Sequence, residues 1–156
     1  MVEQFTLDEV LAKAIEKEIS SRSLYLDLRQ RVSKRAVKDA FQDLADQEER
    51  HRQILEYYLQ GKLTDGDFNH NLVVDYKIAE CLEQPEITPG MDLKEVFLVA
   101  ANREKGSHEL YSRLAEIHPA GKVKHLLEDL ANQELRHKQR VETLYTEVAF
   151  PQTDGG

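Results

Sequence analysis

The amino-acid sequence predicts an all-α protein, a four-helix bundle with a long crossover between its second and third helices. Glycine and proline, which interrupt helices, number only seven and four, and most of them fall in two regions of the chain. Between these regions, apolar residues recur three or four positions apart in segments rich in Leu, Ala, Glu, Lys, Gln and Arg. This pattern is typical of long amphipathic helices.

The four long helices are predicted, in order, at residues 7–31, 36–59, 92–117 and 121–147. The first follows Thr6 and the third follows Asp92, and each of these capping residues is followed three positions later by a Glu. A shorter helix is predicted at 74–83, inside the long connection. We expect residues 1–150 to form one domain and residues 151–156 to be a frayed tail.

The lengths of the connections predict how the helices are arranged. Short connections around residues 33–34 and 119–121 make each sequential pair of helices an antiparallel hairpin. The connection at 61–90, by contrast, spans 30 residues. It is long enough to run along the whole bundle, so that the third helix starts parallel to the second.

Charge and composition exclude several classes of protein. With 21 Lys and Arg against 29 Asp and Glu, the net charge is −8, and no basic cluster is available to bind nucleic acid. A single cysteine can form neither an intramolecular disulfide nor a cysteine-based zinc or iron–sulfur site. The longest strongly apolar run, 96–101, is too short to cross a membrane, and no signal peptide is recognisable. We therefore expect a soluble, cytoplasmic protein.

The two halves of the chain align with each other, without a gap, at an offset of 86 residues. The matched pairs include Glu18 and Glu104, Tyr25 and Tyr111, Leu28 and Leu114, Leu44 and Leu130, Gln47 and Gln133, Glu48 and Glu134, His51 and His137, and Gln53 and Gln139. Each half is therefore interpreted as one helical hairpin. Two such hairpins packed face to face place matching side chains opposite each other in the core.

Each predicted apolar stripe is interrupted near its middle by a glutamate. On the second and fourth helices, a histidine follows this glutamate three residues later, which puts both side chains on the same face of the helix. The interrupting residues are Glu18 on the first helix, Glu48 and His51 on the second, Glu104 on the third, and Glu134 and His137 on the fourth.

Four carboxylates that converge in an apolar core repel one another and lose their hydration, which costs several kcal/mol for each of them. They could be protonated or paired with buried cations, but the stripes contain no obvious Lys or Arg. Two divalent cations would balance the four negative charges. Carboxylate oxygen and imidazole nitrogen suit iron or manganese, and zinc could bind adventitiously. The pattern therefore favours a two-metal site.

With this ligand pattern, the sequence resembles the rubrerythrin and ferritin-like di-iron carboxylate superfamily over essentially the whole bundle. The resemblance implies a ferritin-like fold and two iron ions per chain, with manganese as a possible substitute. It implies the following ligands: Glu18 and Glu104, one on each metal; Glu48 and Glu134, bridging both metals; His51 and His137, one on each metal. Tyr25 and Tyr111 would donate hydrogen bonds to ligand carboxylates, although ordinary core packing would also explain them.

The sequence departs from the patterns of this superfamily at several positions. Rubrerythrins typically carry a further Glu three residues after the third-helix ligand, whereas this chain has Ser107 there and Ser21 at the equivalent position of the first helix. The methionine that holds haem in bacterioferritins is replaced by Glu49, so no haem is expected. Cys81 alone cannot form a rubredoxin-like module, so electrons would come from a separate, rubredoxin-like donor protein.

The resemblance implies a di-iron oxidoreductase that reduces H2O2 or O2 and forms a homodimer or small homo-oligomer. The alternative is a ferritin-type ferroxidase for iron storage and detoxification, and a third possibility is an oxidase of an organic substrate. The remaining histidines, at positions 70, 108, 118 and 125, are expected at the surface, with His108 the nearest to the site.

Overall fold

The computed structural model of the chain describes residues 4–63 and 69–150. Its helices are α1 Leu7–Arg31, α2 Arg35–Leu59, α3 Tyr76–Ala79, α4 Leu93–Glu116 and α5 Lys122–Ala149, and a 3-10 turn at Glu80–Leu82 continues α3. The four long helices agree with the prediction to within two residues at each end. The predicted tail at 151–156 lies outside the described residues.

The ends of the helices follow from local chemistry. The side chains of Thr6 and Asp92 accept hydrogen bonds from the backbone N–H groups of Glu9 and Glu95, which confirms both predicted caps. After α2, Gly61 adopts a φ of 75°, and its N–H donates to the Tyr58 carbonyl. This backbone conformation favours glycine, and it closes the helix with a Schellman-type turn.

The short helix in the connection is less regular than predicted. The side chain of Asp75 caps α3 by accepting a hydrogen bond from the N–H of Lys77. After the 3-10 turn the backbone becomes extended at Glu83, two residues before Pro85. Because proline disfavours helical conformation in the residue before it, Gln84 cannot extend the helix.

Sequential helices form two hairpins, α1 with α2 and α4 with α5, as the short connections predicted. The crossover from α2 to α4 is tied to the start of α1, where the N–H of Leu7 donates to the Leu72 carbonyl and the N–H of Val74 donates to the Phe5 carbonyl. Val74, Ile78 and Cys81 of the crossover are buried against the bundle. The part of the crossover at 74–81 therefore packs against the core.

The apolar core consists of two clusters, one toward each end of the bundle. The first cluster includes Leu11, Tyr58, Leu110 and Leu127, and the second includes Leu28, Phe41, Phe97 and Val141. The start of α1 lies in the first cluster, whereas the starts of α2 and α4 lie in the second. Helix α4 therefore runs parallel to α2, as the long crossover requires. The middle of each long helix is left for a polar layer between the clusters.

Candidate metal centre

All six predicted ligand residues lie in this polar layer, and the surrounding helices bury each of them to 3% exposure or less. Their donor atoms form two overlapping groups, and within each group the atoms lie within 4.8 Å of one another. The first group contains Glu18, Glu48, His51 and Glu134, and the second contains Glu48, Glu104, Glu134 and His137. The two glutamates of the Glu-x-x-His motifs belong to both groups, as bridging ligands would.

The imidazoles point their Nδ1 atoms into the layer. Nδ1 of His51 lies 2.6 Å from a carboxylate oxygen of Glu134 and 3.7 Å from one of Glu18. Nδ1 of His137 lies 2.7 Å from Glu48 and 3.7 Å from Glu104. The two rings are nearly parallel, 10° apart, with centroids 5.5 Å from each other. The repeat thus produces two similar half-sites side by side.

Several donor atoms in this layer are buried without a hydrogen-bond partner. They are one carboxylate oxygen on each of Glu18, Glu48, Glu104 and Glu134, and Nδ1 of His51. Buried polar atoms are normally satisfied, because leaving one unpaired costs about 1–3 kcal/mol. The chemistry of these atoms fits a pair of divalent cations, which would coordinate the unpaired atoms and balance the carboxylate charge.

The electrostatics of the layer are unfavourable without cations. Burial raises the pKa of Glu48, Glu104 and Glu134 well above the usual value for a glutamate, and the neighbouring carboxylates add to this effect. Glu18 is the exception: burial alone would raise its pKa, but the neighbouring Glu48 carboxyl and His51 imidazole lower it overall. The metal-free layer therefore retains protons more readily than four ordinary carboxylates would.

The two predicted tyrosines contact the layer from opposite sides. The hydroxyl of Tyr25, in the second apolar cluster, donates to a carboxylate oxygen of Glu104, and that of Tyr111, in the first cluster, donates to Glu18. Each tyrosine therefore holds the glutamate of the other hairpin. Burial and the nearby carboxylates raise the pKa of both hydroxyls well above the usual value for tyrosine, so both remain protonated donors.

Two glutamines also contact the layer, and the sequence had marked them only as a matching pair in the repeat. The amide oxygen of Gln133 lies 2.8 Å from Nε2 of His51, and that of Gln47 lies 2.7 Å from Nε2 of His137. If each Nε2 donates to its amide oxygen, Nδ1 keeps the lone pair that a metal requires. Besides their pairing in the repeat, the sequence offered one further signal: each glutamine immediately precedes a ligand glutamate.

The apolar stripes contain no Lys or Arg, but two cations that the sequence did not single out are buried next to them. Lys17 and Arg103, which immediately precede the glutamates of α1 and α4, are only 5% and 8% exposed. Lys17 Nζ donates to the Cys81 carbonyl at 2.9 Å, and Arg103 Nε donates to the Pro85 carbonyl at 3.0 Å. They lie beside the apolar stripes, at positions related by the repeat, and bind the crossover instead of pairing with the carboxylates.

The other histidines lie outside the layer. His125 is exposed, as predicted, while His70 and His108 are half-buried. The expectation for His118 was wrong, because this side chain is buried at 4% exposure, where Nδ1 lies 2.6 Å from the Leu114 carbonyl and Nε2 contacts the Tyr58 hydroxyl. Nδ1 of His108 lies 2.7 Å from the Ala131 carbonyl.

Comparison with known proteins identifies the family. The family model for Rubrerythrin matches residues 9–145, which is most of the chain and includes all six predicted ligands. The chain belongs to the rubrerythrin family. The six buried donors therefore lie within the rubrerythrin match, and the family assignment agrees with the resemblance inferred from them. A search of curated proteins found no match.

Two solved structures share the fold of this rubrerythrin-family chain. A hypothetical protein from Pyrococcus furiosus is 23% identical, with a TM-score of 0.74, and the match covers 96% of this chain and 94% of that one. A candidate ferritin-like diiron-carboxylate protein from Thermotoga maritima is also 23% identical, with a TM-score of 0.73 and coverage of 93% and 97%. These matches confirm the predicted ferritin-like helical bundle. Within the described ranges, the helices include none with an apolar stretch that could cross a bilayer.

Proposed function

We propose that this chain is a di-iron oxidoreductase of the rubrerythrin type, which reduces H2O2 or O2 with electrons from a separate, rubredoxin-like donor protein. The single observation that carries the proposal is the pair of overlapping donor groups, each with one unshared Glu, one His and two shared Glu residues. Family membership over residues 9–145 supports the same conclusion. Manganese suits the same donors and is the alternative metal.

In this proposal the six side chains divide the work of binding between them. Glu48 and Glu134 would each contribute to both metals, Glu18 and Glu104 would each hold one metal, and His51 and His137 would each provide Nδ1. Iron supplies two one-electron donors at adjacent positions, which together match the two-electron reduction of an O–O bond. Reduction of H2O2 by two electrons and two protons gives two water molecules, and the donor protein returns both electrons.

The tyrosines keep the unshared carboxylates in place. The hydroxyl of Tyr25 donates to Glu104, and the hydroxyl of Tyr111 donates to Glu18. Each tyrosine thus fixes the orientation of a ligand that lies on the other hairpin. Both hydroxyls are buried and protonated, so each holds a proton one hydrogen bond away from a ligand oxygen. We propose that they orient the ligands and retain protons close to the reacting oxygen atoms.

A ferritin-type ferroxidase for iron storage is the second candidate. The buried Ser107 favours it, because it occupies the third-helix position where rubrerythrins typically carry a further glutamate, and its counterpart in the first helix, Ser21, is a buried serine as well. The two candidates differ in assembly and iron load. A small homo-oligomer with about two irons per chain is expected of the oxidoreductase, whereas a large shell with many irons per chain is expected of the storage protein.

Anaerobic loading with Fe2+, followed by separate mixing with H2O2 and O2, tests the proposal. We expect two irons per chain, rapid oxidation by one of the two oxidants read by absorbance, and reduction back to Fe2+ by an added rubredoxin. Glu134→Ala should lose both irons and the oxidation signal, while the matched exposed variant on the same helix, Glu128→Ala, should retain both. Many irons per chain would favour storage, and a wild-type chain without bound iron would contradict both candidates.

A further inference from the structure

The two ligand histidines are supported differently on the side that faces away from the metal layer. On this side Nε2 of each imidazole contacts a half-buried glutamine from the opposite hairpin, Gln47 for His137 and Gln133 for His51. An amide can present either its oxygen or its nitrogen to the ring. What holds each amide in place therefore decides which ring nitrogen carries the proton.

The orientation of Gln47 is fixed by a chain of charged groups. Its Nε2 donates to the Asp43 carboxylate at 2.8 Å, and the same carboxylate oxygen accepts a hydrogen bond from Arg140 Nη1 at 2.6 Å. An ionised carboxylate can only accept hydrogen bonds, so the amide nitrogen must face Asp43 and the amide oxygen must face His137. His137 then donates through Nε2, and its Nδ1 keeps the lone pair that binds a metal.

The repeat does not reproduce the hydrogen bonds between Arg140, Asp43 and Gln47 in the other half-site. At the offset of 86 residues, the counterpart of Asp43 is Asp129 and the counterpart of Arg140 is Ile54. Asp129 is exposed and lies 3.7 Å from Nε2 of His125. Among the residues that the structure describes, no protein acceptor contacts the amide nitrogen of Gln133. Gln133 can therefore turn its amide over at little cost, and only one orientation leaves Nδ1 of His51 free to bind.

We propose that the Arg140–Asp43–Gln47 chain positions His137 and makes the two metal positions unequal. The position at His137 binds its ion first and releases it last, while the position at His51 exchanges its ion more readily. This inference rests on the two-metal site of the proposed function, and it adds an order of occupancy. Arg140, Asp43 and Gln47 act through His137 and do not touch the metal themselves.

Titration of the whole chain with Co2+ tests this inference directly. We expect the wild-type protein to bind two ions in two steps, separated by about ten-fold or more in affinity, since supports of ligand histidines contribute about 10–100-fold to metal affinity. At one Co2+ per chain, anomalous diffraction should give its stronger peak beside Nδ1 of His137. The exchangeable Nε2–H signal of Co2+-bound His137 should be lost to D2O more slowly than that of His51.

Asp43→Ala should weaken the tighter step by about ten-fold and accelerate exchange of the His137 proton. The matched control, Asp129→Ala, should change neither quantity, because Asp129 does not contact Gln133. Gln47→Leu and Gln133→Leu should each weaken a different step, while Gln53→Leu and Gln139→Leu, at the exposed matched pair, should weaken none. The melting temperature of each Co2+-free variant monitors folding.

Two equivalent ions in the wild-type chain, or an Asp43→Ala variant with both affinities unchanged, would overturn the inference while the proposed function stands. A wild-type chain that binds no Co2+ or Fe2+ at all would overturn the proposed function together with the inference.

Discussion

The polar layer in the middle of the bundle and the apolar clusters on either side of it are built on opposite principles. The clusters bury side chains such as Leu11, Phe41 and Leu110 without exposure, and burial of a large apolar side chain contributes about 1.5–3 kcal/mol to folding. The layer buries four carboxylates whose oxygen atoms are incompletely paired. The clusters therefore stabilise the fold, whereas the layer weakens the metal-free fold and would gain stability from bound cations.

The largest expected effect is on metal binding. Glu134→Ala should abolish binding of both ions, because Glu134 belongs to both donor groups, while Glu18→Ala should weaken chiefly one position. Metal analysis after anaerobic loading and desalting measures both. A Glu134→Ala chain that retains two tightly bound irons would show that this residue does not bridge.

Truncation of a side chain in an apolar cluster should act chiefly on the free energy of unfolding, not on metal binding. Phe41 is fully buried and packs against the rings of Tyr25 and Phe97. Phe41→Ala should lower the free energy of unfolding by about 3–5 kcal/mol, because it leaves a cavity. The exposed Leu98→Ala should change it by less than about 0.5 kcal/mol. Urea denaturation of the metal-free proteins checks this, and equal effects of the two substitutions would contradict the proposed division.

The pH dependence of stability is a further test of how the polar layer differs from the apolar clusters. Three carboxyls of the layer, those of Glu48, Glu104 and Glu134, have pKa values raised above their unfolded values. The stability they contribute is fully present below the unfolded pKa, and it is lost as pH rises through the folded pKa. Burial lowers the pKa of His137 to about 3, which acts in the opposite direction, but it is one group against three carboxyls. The metal-free protein should therefore melt at a higher temperature at pH 5.5 than at pH 8.

Metal should reverse this trend, since protons compete with cations for the same carboxylates and imidazoles. The increase in melting temperature on adding Fe2+ anaerobically should be larger at pH 8 than at pH 5.5. Calorimetry of both forms at both pH values gives the comparison. A metal-free protein that is more stable at pH 8 would mean that the carboxyls are not the destabilising groups.

The smallest effect is expected for the tyrosines. Tyr25→Phe removes one hydrogen bond to Glu104 but keeps the ring that packs on Phe41. Iron content should stay at two per chain while the rate of oxidation by H2O2 changes, which stopped-flow absorbance measures. The exposed Tyr57→Phe is the control. Unchanged kinetics in Tyr25→Phe would assign Tyr25 to packing alone.

The ligand cluster could be predicted from sequence because helical periodicity determines which residues share a face, and the repeat aligned two such faces. Glu48 and His51 illustrate this, since their spacing of three residues needed no knowledge of neighbouring helices. The role of Gln47 could not be predicted in this way. It depends on contacts with Asp43 on its own helix and His137 on another, and on which end of the amide faces each.

The burial of Lys17 and of His118, which the sequence did not predict, has the same physical origin. Lys17 is adjacent to the apolar stripe, and only the path of the crossover, with the Cys81 carbonyl above it, explains why its charged end is buried. His118 was expected at the surface, but Tyr58 from the other hairpin packs against it. Long-range packing at the ends of helices and under the crossover is what the pattern of one chain does not encode.

Anomalous diffraction at the iron edge, from crystals of the anaerobically loaded protein, shows where the iron binds. Two adjacent iron peaks are expected in the polar layer, one beside Nδ1 of His51 and one beside Nδ1 of His137, with Glu48 and Glu134 contacting both. A map with no peak in this layer, or with iron bound only at the surface of the bundle, would contradict this expectation.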